Sequence, residues 1–238
     1  MNDLVLNEDK TVQITFSTRP TASIGLPELE DKDTTKYLGI TLDEKLNWTH
    51  HMNNLCAKLS TGIYVIRRIK QVCDADAART AYFALFESHL RFGLAAWGRS
   101  SNSNLERVLL HQKRAVRCLE GIGYRYSCRQ AFKDLRILTA VSLYIAEVIM
   151  HTINSSQLRH EDNHHYHTRN ARNFQLPAHR LSLFSKKPSY KGALYFNLLP
   201  QDLKTATGKC FKQQLVRWLL KRPCYSEREF LDWRDFFN

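Results

Sequence analysis

The sequence predicts an α+β fold that is mainly α. Alternation of apolar and polar residues with period two is confined to the segment before Thr49. From Thr49 onward the apolar positions step by three and four. The chain has 238 residues, 43% of them hydrophobic, enough to bury one sizeable core or two small ones. The expected order is a short N-terminal β-ribbon, a helical bundle and a small helical C-terminal unit.

The ribbon is read from two runs. Val12, Ile14 and Phe16 alternate with polar residues, as in a half-buried strand. Gly25 and Pro27 break the polar loop that follows. Leu38, Ile40 and Leu42 then share one face of a second run, and the two runs are expected to pair antiparallel. Met52, Leu55, Leu59, Ile63 and Ile66 form the apolar stripe of a first helix. Asp74 is placed to cap a second helix from Ala75 to about Phe92, closed by Gly93. Asn104 is placed to cap a third, from Leu105 to about Leu119, ended by Gly121 and Gly123. A fourth covers Val141 to Ile153. The segment 154–173 is rich in His, Asn and Arg and reads as an exposed linker. A last helix, from about Lys209 to Lys221, presents Phe211, Leu215, Trp218 and Leu219 on one face and stops at Pro223. These elements divide the chain into 1–48, 49–153, the linker 154–173, and 174–238.

Several classes are set aside. The six cysteines are scattered without a C-x-x-C pair, which argues against a zinc ribbon and a disulfide framework and for reduced thiols. No apolar run approaches the roughly 20 residues of a membrane helix. Met1 to Lys10 has no apolar stretch of the secretory kind, so a nuclear or cytoplasmic, intracellular protein is expected, not a secreted one. Walker A, G-x-G-x-x-G and G-x-S-x-G patterns are absent. His160, Glu161, Asp162, His164, His165 and His167 are metal-ligating types, but their spacing in a loop does not close a tetrahedral cage, and no metal site is assigned. Trp97, Trp218 and Trp233 read as core anchors.

The formal net charge is +12. Residues 58–136 carry 15 Lys and Arg against 6 Asp and Glu, and residues 159–222 carry 13 against 3. Two basic blocks inside folded segments point to a polyanionic partner. On the third helix Leu105, Val108, Leu109, Ala115, Val116 and Leu119 fall in an arc of roughly 120°, with Arg107, His111, Arg114 and Arg117 opposite. One reading is a solvated face over a core stripe. The sharper one is a helix that tracks phosphates, which the planar arginine fork suits. Nothing in the spacing suggests sequence-specific base reading.

Several stretches, taken in order, resemble the reverse transcriptases of non-LTR retrotransposons, and the jockey-like insect type most of all. Leu4-Val5-Leu6-Asn7-Glu8-Asp9-Lys10-Thr11, followed by Phe16, resembles motif D. Lys36-Tyr37-Leu38-Gly39-Ile40-Thr41-Leu42-Asp43, with Leu46, Trp48 and His51, resembles motif E and the entry to the thumb. Ser88, Gly93, Trp97-Gly98, Gln112, Lys113, Arg114 and Arg117 resemble the helical thumb. Further on come His165-Tyr166-His167-Thr168-Arg169, Pro177, Ser189-Tyr190 and Gly192. The tail continues with Tyr195, Asn197, Leu199-Pro200, Leu203-Lys204 and Phe211-Lys212. It ends on Tyr225-Ser226 and Glu229-Phe230-Leu231.

The resemblance implies roles. Lys10 matches the motif D lysine that helps at the leaving pyrophosphate. Tyr37, Leu38 and Gly39 match the primer grip. The helices after them match the thumb, which closes on template–primer by shape and charge. Arg67, Arg68, Lys70, Arg107, Lys113, Arg114, Arg117, Arg169, Arg172, Lys186 and Lys187 are the candidate contacts to RNA, DNA or their hybrid. The family's paired aspartates, which hold two metal ions, lie upstream of motif D, and this sequence has no Asp-Asp pair. The chain is therefore expected to bind nucleic acid without polymerising. No cofactor is expected in it, and Mg²⁺ only in the complete polymerase. Full-length element protein is a further expected partner. The rival expectation is a truncated or repurposed helical module that binds protein and not nucleic acid.

Overall fold

The computed structural model describes residues 7, 11–16, 29–98, 100–163, 168 and 170–237. The chain is mainly helical, with a small strand content at its N-terminal end. It forms two compact units, Met1–Ala57 and Lys58–Asn238. The division falls inside the first long helix, α1 (Thr49–Val72), so neither the expected boundary at 48/49 nor the linker 154–173 coincides with it.

In the first unit, β1 (Val12–Gln13) pairs in parallel with β2 (Glu30–Asp31), and β3 (Thr34–Tyr37) pairs antiparallel with β4 (Ile40–Asp43). The expected pairing of the two alternating runs is thus corrected. The run 36–42 folds back on itself instead. Leu38 (φ 46°) and Gly39 (φ 86°) are both left-handed, as a two-residue primed turn requires, and Tyr37 pairs with Ile40 across it. The buried Asp43 carboxylate then accepts the backbone N–H groups of Asn47 (2.8 Å) and Trp48 (2.7 Å). That clasp holds a loop in which Leu46 and Trp48 also take positive φ. His51, one turn into α1, accepts the Thr41 N–H at 3.4 Å and meets the Trp48 ring edge-on. The motif residues Asp43, Trp48 and His51 therefore join the hairpin to its helix.

In the second unit, Asp74 caps α2 (Ala75–Ala81), its side chain accepting the Ala77 N–H at 2.7 Å. The expected second helix contains a π-helical turn, Tyr82–Glu87, before α3 (Ser88–Arg91). Gly93 follows in the left-handed region (φ 64°) and starts α4 (Leu94–Trp97). α5 spans Asn102–Glu120. Its cap is Ser101, not Asn104: the serine hydroxyl accepts the Asn104 N–H at 3.1 Å. Gly121 (φ 78°) closes it. A short helix that periodicity did not reveal, α6 (Arg129–Asp134), precedes α7 (Ala140–Ile153).

α7 is buried on nearly every side, and α4, α5, α8 (Pro188–Leu198) and α10 (Gly208–Leu220) pack on it. α8 lies closest. A Cβ at Gly192 would overlap Thr152 Oγ1 and the Val148 carbonyl. A Cβ at Gly98 would collide with the Tyr144 ring and stand 2.6 Å from the Leu94 carbonyl. The two motif glycines mark places where backbone must touch neighbour. Residues 188–237, with α9 (Gln201–Lys204), α11 (Glu227–Leu231) and α12 (Trp233–Phe237), thus share the core of the helices before them. In the stretch 154–173 the described residues are exposed or half-buried, and its ends are tied. Arg159 and Phe174 form a β-bridge, and the His160 and Glu161 N–H groups donate to Asn173 and Ala171. Trp97 is fully buried, and Trp218 meets Phe230 and Trp233 edge-on.

Candidate nucleic-acid interface

The hairpin tip is the most exposed part of the first unit's motif. Tyr37 is 63% and Leu38 78% exposed, an arrangement that spends two apolar side chains on solvent. Lys10 lies outside the described residues, as do His164, His165, His167 and Arg169. Among the described residues no group of three or more His, Cys, Asp or Glu stands where it would hold a metal ion.

The candidate cations divide by what they touch. Lys70 ends α1 by donating to the carbonyls of Cys118 (2.9 Å) and Leu119 at the C-terminus of α5, a helix-end contact. Arg67 and Arg68 are exposed on α1, and Arg68 donates to Gln71 (3.2 Å). Arg107 and Arg114 are exposed on α5. Lys113 is half-buried with its ammonium 3.7 Å from the Tyr225 ring centroid, and burial lowers its pKa. Arg129 lies over the same ring at 4.2 Å and forks onto Glu229 through two bonds of 3.0 Å. Arg117 donates to the Tyr126 carbonyl at 3.1 Å through Nη2. Arg172 donates to the Lys204 carbonyl at 3.2 Å. Lys187 sits 4.5 Å from the Phe184 ring centroid, with Lys186 exposed beside it. Among the described candidates, Arg107, Lys113, Arg114 and Arg117 thus share α5, with Lys70 reaching its C-terminal end. Lys70 and Arg172 serve as caps and clasps.

A denser cluster lies elsewhere. Lys133 and Arg136, at the end of α6, face Lys212, Arg217 and Lys221 on and just beyond α10 across a trough of about 990 Å³. Gln213, Val216 and Leu220 complete its lining, and no acid takes part. All five cations are exposed, and none takes part in an ion pair among the described residues. Arg136 holds φ 52°, at a helix end where glycine is preferred. Concentrated like charge without counter-ions of its own raises the local potential and draws a polyanion. Sequence reasoning missed this set. Its only signal was the second basic block and the way Lys212 and Arg217 flank Val216 on a helical wheel. The other wall comes from residues some 80 positions upstream, which no local pattern links.

Over a little more than half its length, the chain is similar to RNA-directed DNA polymerases of non-LTR mobile elements. The relatives are the polymerase of the mobile element jockey of Drosophila melanogaster, 25% identical over 143 residues, and the probable polymerase of its transposon BS, 26% identical over 145. The probable polymerase of transposon X-element is 21% identical over 141 residues. The matches cover 56 to 57% of this chain and 15 to 16% of the relatives, so the chain spans about a sixth of their length. They agree with the jockey-like resemblance read from the motifs. No family model matches the chain, and no solved structure matches it. No helix among the described residues is long and apolar enough to cross a membrane.

Proposed function

We propose that this chain is the segment that follows the palm of a mobile-element RNA-directed DNA polymerase, and that it holds template–primer nucleic acid by the phosphate backbone. The observation that carries this reading is the trough of five cations without an acid. An A-form-like hybrid is recognised by its shape and phosphates, and five cations lining one trough supply the charge that phosphates require. The likeness to three polymerases supports the choice of ligand. In this reading the hairpin tip at Tyr37–Gly39 contacts the primer's 3′ end, as in a primer grip. Lys10 serves the leaving phosphate only with a palm in place. In this reading the two-metal chemistry belongs to the palm: the sequence has no Asp-Asp pair, and among the described residues no carboxylate cluster stands where it would hold a metal ion. Its place of action is then the nucleus or cytoplasm, where such nucleic acid occurs.

The test is a titration of the full chain with a blunt RNA–DNA hybrid at several salt concentrations. Each cation that neutralises a phosphate contributes about 0.9 to the slope of log affinity on log salt. The variant Lys212→Ala/Arg217→Ala/Lys221→Ala is expected to flatten the slope by roughly two to three. An Arg107→Ala/Arg114→Ala/Arg117→Ala variant measures the share of α5. Undetectable binding at low salt would sink the proposal and favour a helical module that binds protein.

A further inference from the structure

Just beyond α5 the chain exposes two aromatic rings around a cation. Tyr124 is 73% and Tyr126 71% exposed, and Arg125 between them is exposed. Surface tyrosines usually lay one face of the ring on a neighbour; here most of both is left to solvent. The loop that presents them is built firmly. Gly121 and Ile122 both donate to the Arg117 carbonyl, at 2.9 and 3.2 Å, which ends the helix in a tight left-handed cap. The Tyr126 N–H returns to the Gly123 carbonyl at 3.2 Å. The Tyr126 ring packs over Gly123, where a Cβ would stand 3.3 Å from it. The Arg117 guanidinium donates to the Tyr126 carbonyl and lies 5.5 Å from the Tyr124 ring centroid.

The surroundings are basic. Residues 107–126 carry five Lys or Arg and one acid, Glu120. Solvent-exposed aromatic faces set among arginines stack on unpaired bases while the cations hold the phosphates. A duplex hides its base faces, so such a surface gains little from one.

We infer that Tyr124, Arg125 and Tyr126, with Arg117, form a stacking platform for single-stranded nucleic acid, RNA or DNA, apart from the backbone-binding trough. This rests on the nucleic-acid reading above and adds to it the strandedness of the ligand at this loop.

The experiment compares the full chain and a Tyr124→Leu/Tyr126→Leu variant on a 12-nucleotide oligo(A) and on a blunt duplex of the same length. Leucine keeps the apolar bulk and removes the ring. Stacking contributes enough per base that the variant should lose roughly tenfold or more on the single strand and little on the duplex. A Tyr124→Trp/Tyr126→Trp variant should keep or raise single-strand affinity, which a loop-folding role would not predict. Equal losses on both ligands, or none on either, would overturn the platform while leaving the trough in place. Wild-type chain that binds neither ligand would overturn both readings.

Discussion

The Lys70 ammonium stands 2.9 Å from the Cys118 carbonyl and also reaches that of Leu119, so a cation from the end of α1 neutralises the C-terminal pole of α5. Lysine at a helix C-terminus is favourable, and here the bonds are charge-assisted. Lys70→Met keeps the stem and removes the charge. It should lower unfolding stability by about 1–2 kcal/mol. The salt slope for the RNA–DNA hybrid should stay as in the wild type. Denaturant melts set beside the titration decide whether Lys70 is a brace or a ligand contact.

Gly192 has no room for a methyl group. The added Cβ would meet the Val148 backbone and the Thr152 hydroxyl, which also donates to the Ser189 carbonyl at 3.1 Å. Gly192→Ala should force α8 away from α7 and cost several kcal/mol, in the range of severe core overpacking, about 3 or more. Loss of the cooperative thermal transition is the expected readout. Gly208, where a Cβ meets nothing within 4 Å but φ is 55°, offers a milder control.

Arg136 occupies a left-handed conformation that glycine adopts without strain. Arg136→Gly should therefore leave stability unchanged or raise it by up to about 1 kcal/mol. If the trough binds phosphates, the same variant weakens hybrid binding and reduces the salt slope by about one. Stability and affinity moving in opposite directions would mark a residue kept for binding. If both fall together, the side chain serves the fold.

Lys204 donates to Asn173 Oδ1 (2.8 Å) and to the Asn197 carbonyl (2.7 Å) in a nearly closed site. Burial, with a smaller push from Arg234, brings its pKa down from 10.5 to about 8. The folded chain thus holds this proton less tightly than the unfolded chain does. Between about pH 8 and 10.5 the unfolded state carries more of it, so stability from this site rises with pH across that window and is flat below it. Other groups titrate there too, so the measurement is a difference. Urea midpoints of wild type and Lys204→Met at pH 7.5 and 10 should show an upward contribution in the wild type that the variant lacks. A parallel pH response in both would refute it.

Arg129 and Glu229 join α6 to α11 through a two-pronged ion pair, and the Tyr225 N–H donates to the same carboxylate at 2.8 Å. Arg129→Lys retains charge and loses the fork. A loss of about 1–2 kcal/mol is expected by denaturant melts, with Glu229→Gln showing a similar one. Double-mutant coupling below a few tenths of a kcal/mol would show the pair to be ornamental.

Local rules carried the sequence reading wherever the controlling groups were neighbours along the chain. Asp74 caps its helix through the Ala77 N–H three residues on, and Gly121 ends α5 with a bond to Arg117 four residues back. Both were visible because capping and left-handed closure act within a turn. The α10 stripe of Phe211, Leu215 and Leu219 was visible for the same reason. The resemblance reached further and pointed to Asp43, Trp48, Gly98 and Gly192. It did not say that the first two clasp a hairpin to its helix, or that the glycines are sites of contact.

Tertiary structure decided the rest, because distance in space is not written in spacing. The two alternating runs looked alike in period, yet each found a different partner, since strand pairing depends on turn conformation and on which edges meet. Ser101 displaced Asn104 as cap because Asn104 is drawn inward, to 7% exposure. Among the cations, identical residue types divided by what the fold set before them. Lys70 met a helix end, Lys113 and Arg129 met the Tyr225 ring, and Lys133, Arg136, Lys212, Arg217 and Lys221 came to line one trough. Spacing and composition carried a basic, mainly helical chain whose motifs resemble those of retrotransposon polymerases. Which charges come to lie against a carbonyl, a ring or another cation is set only by the fold, because a charge's surroundings are a property of its neighbours in space and not of its name.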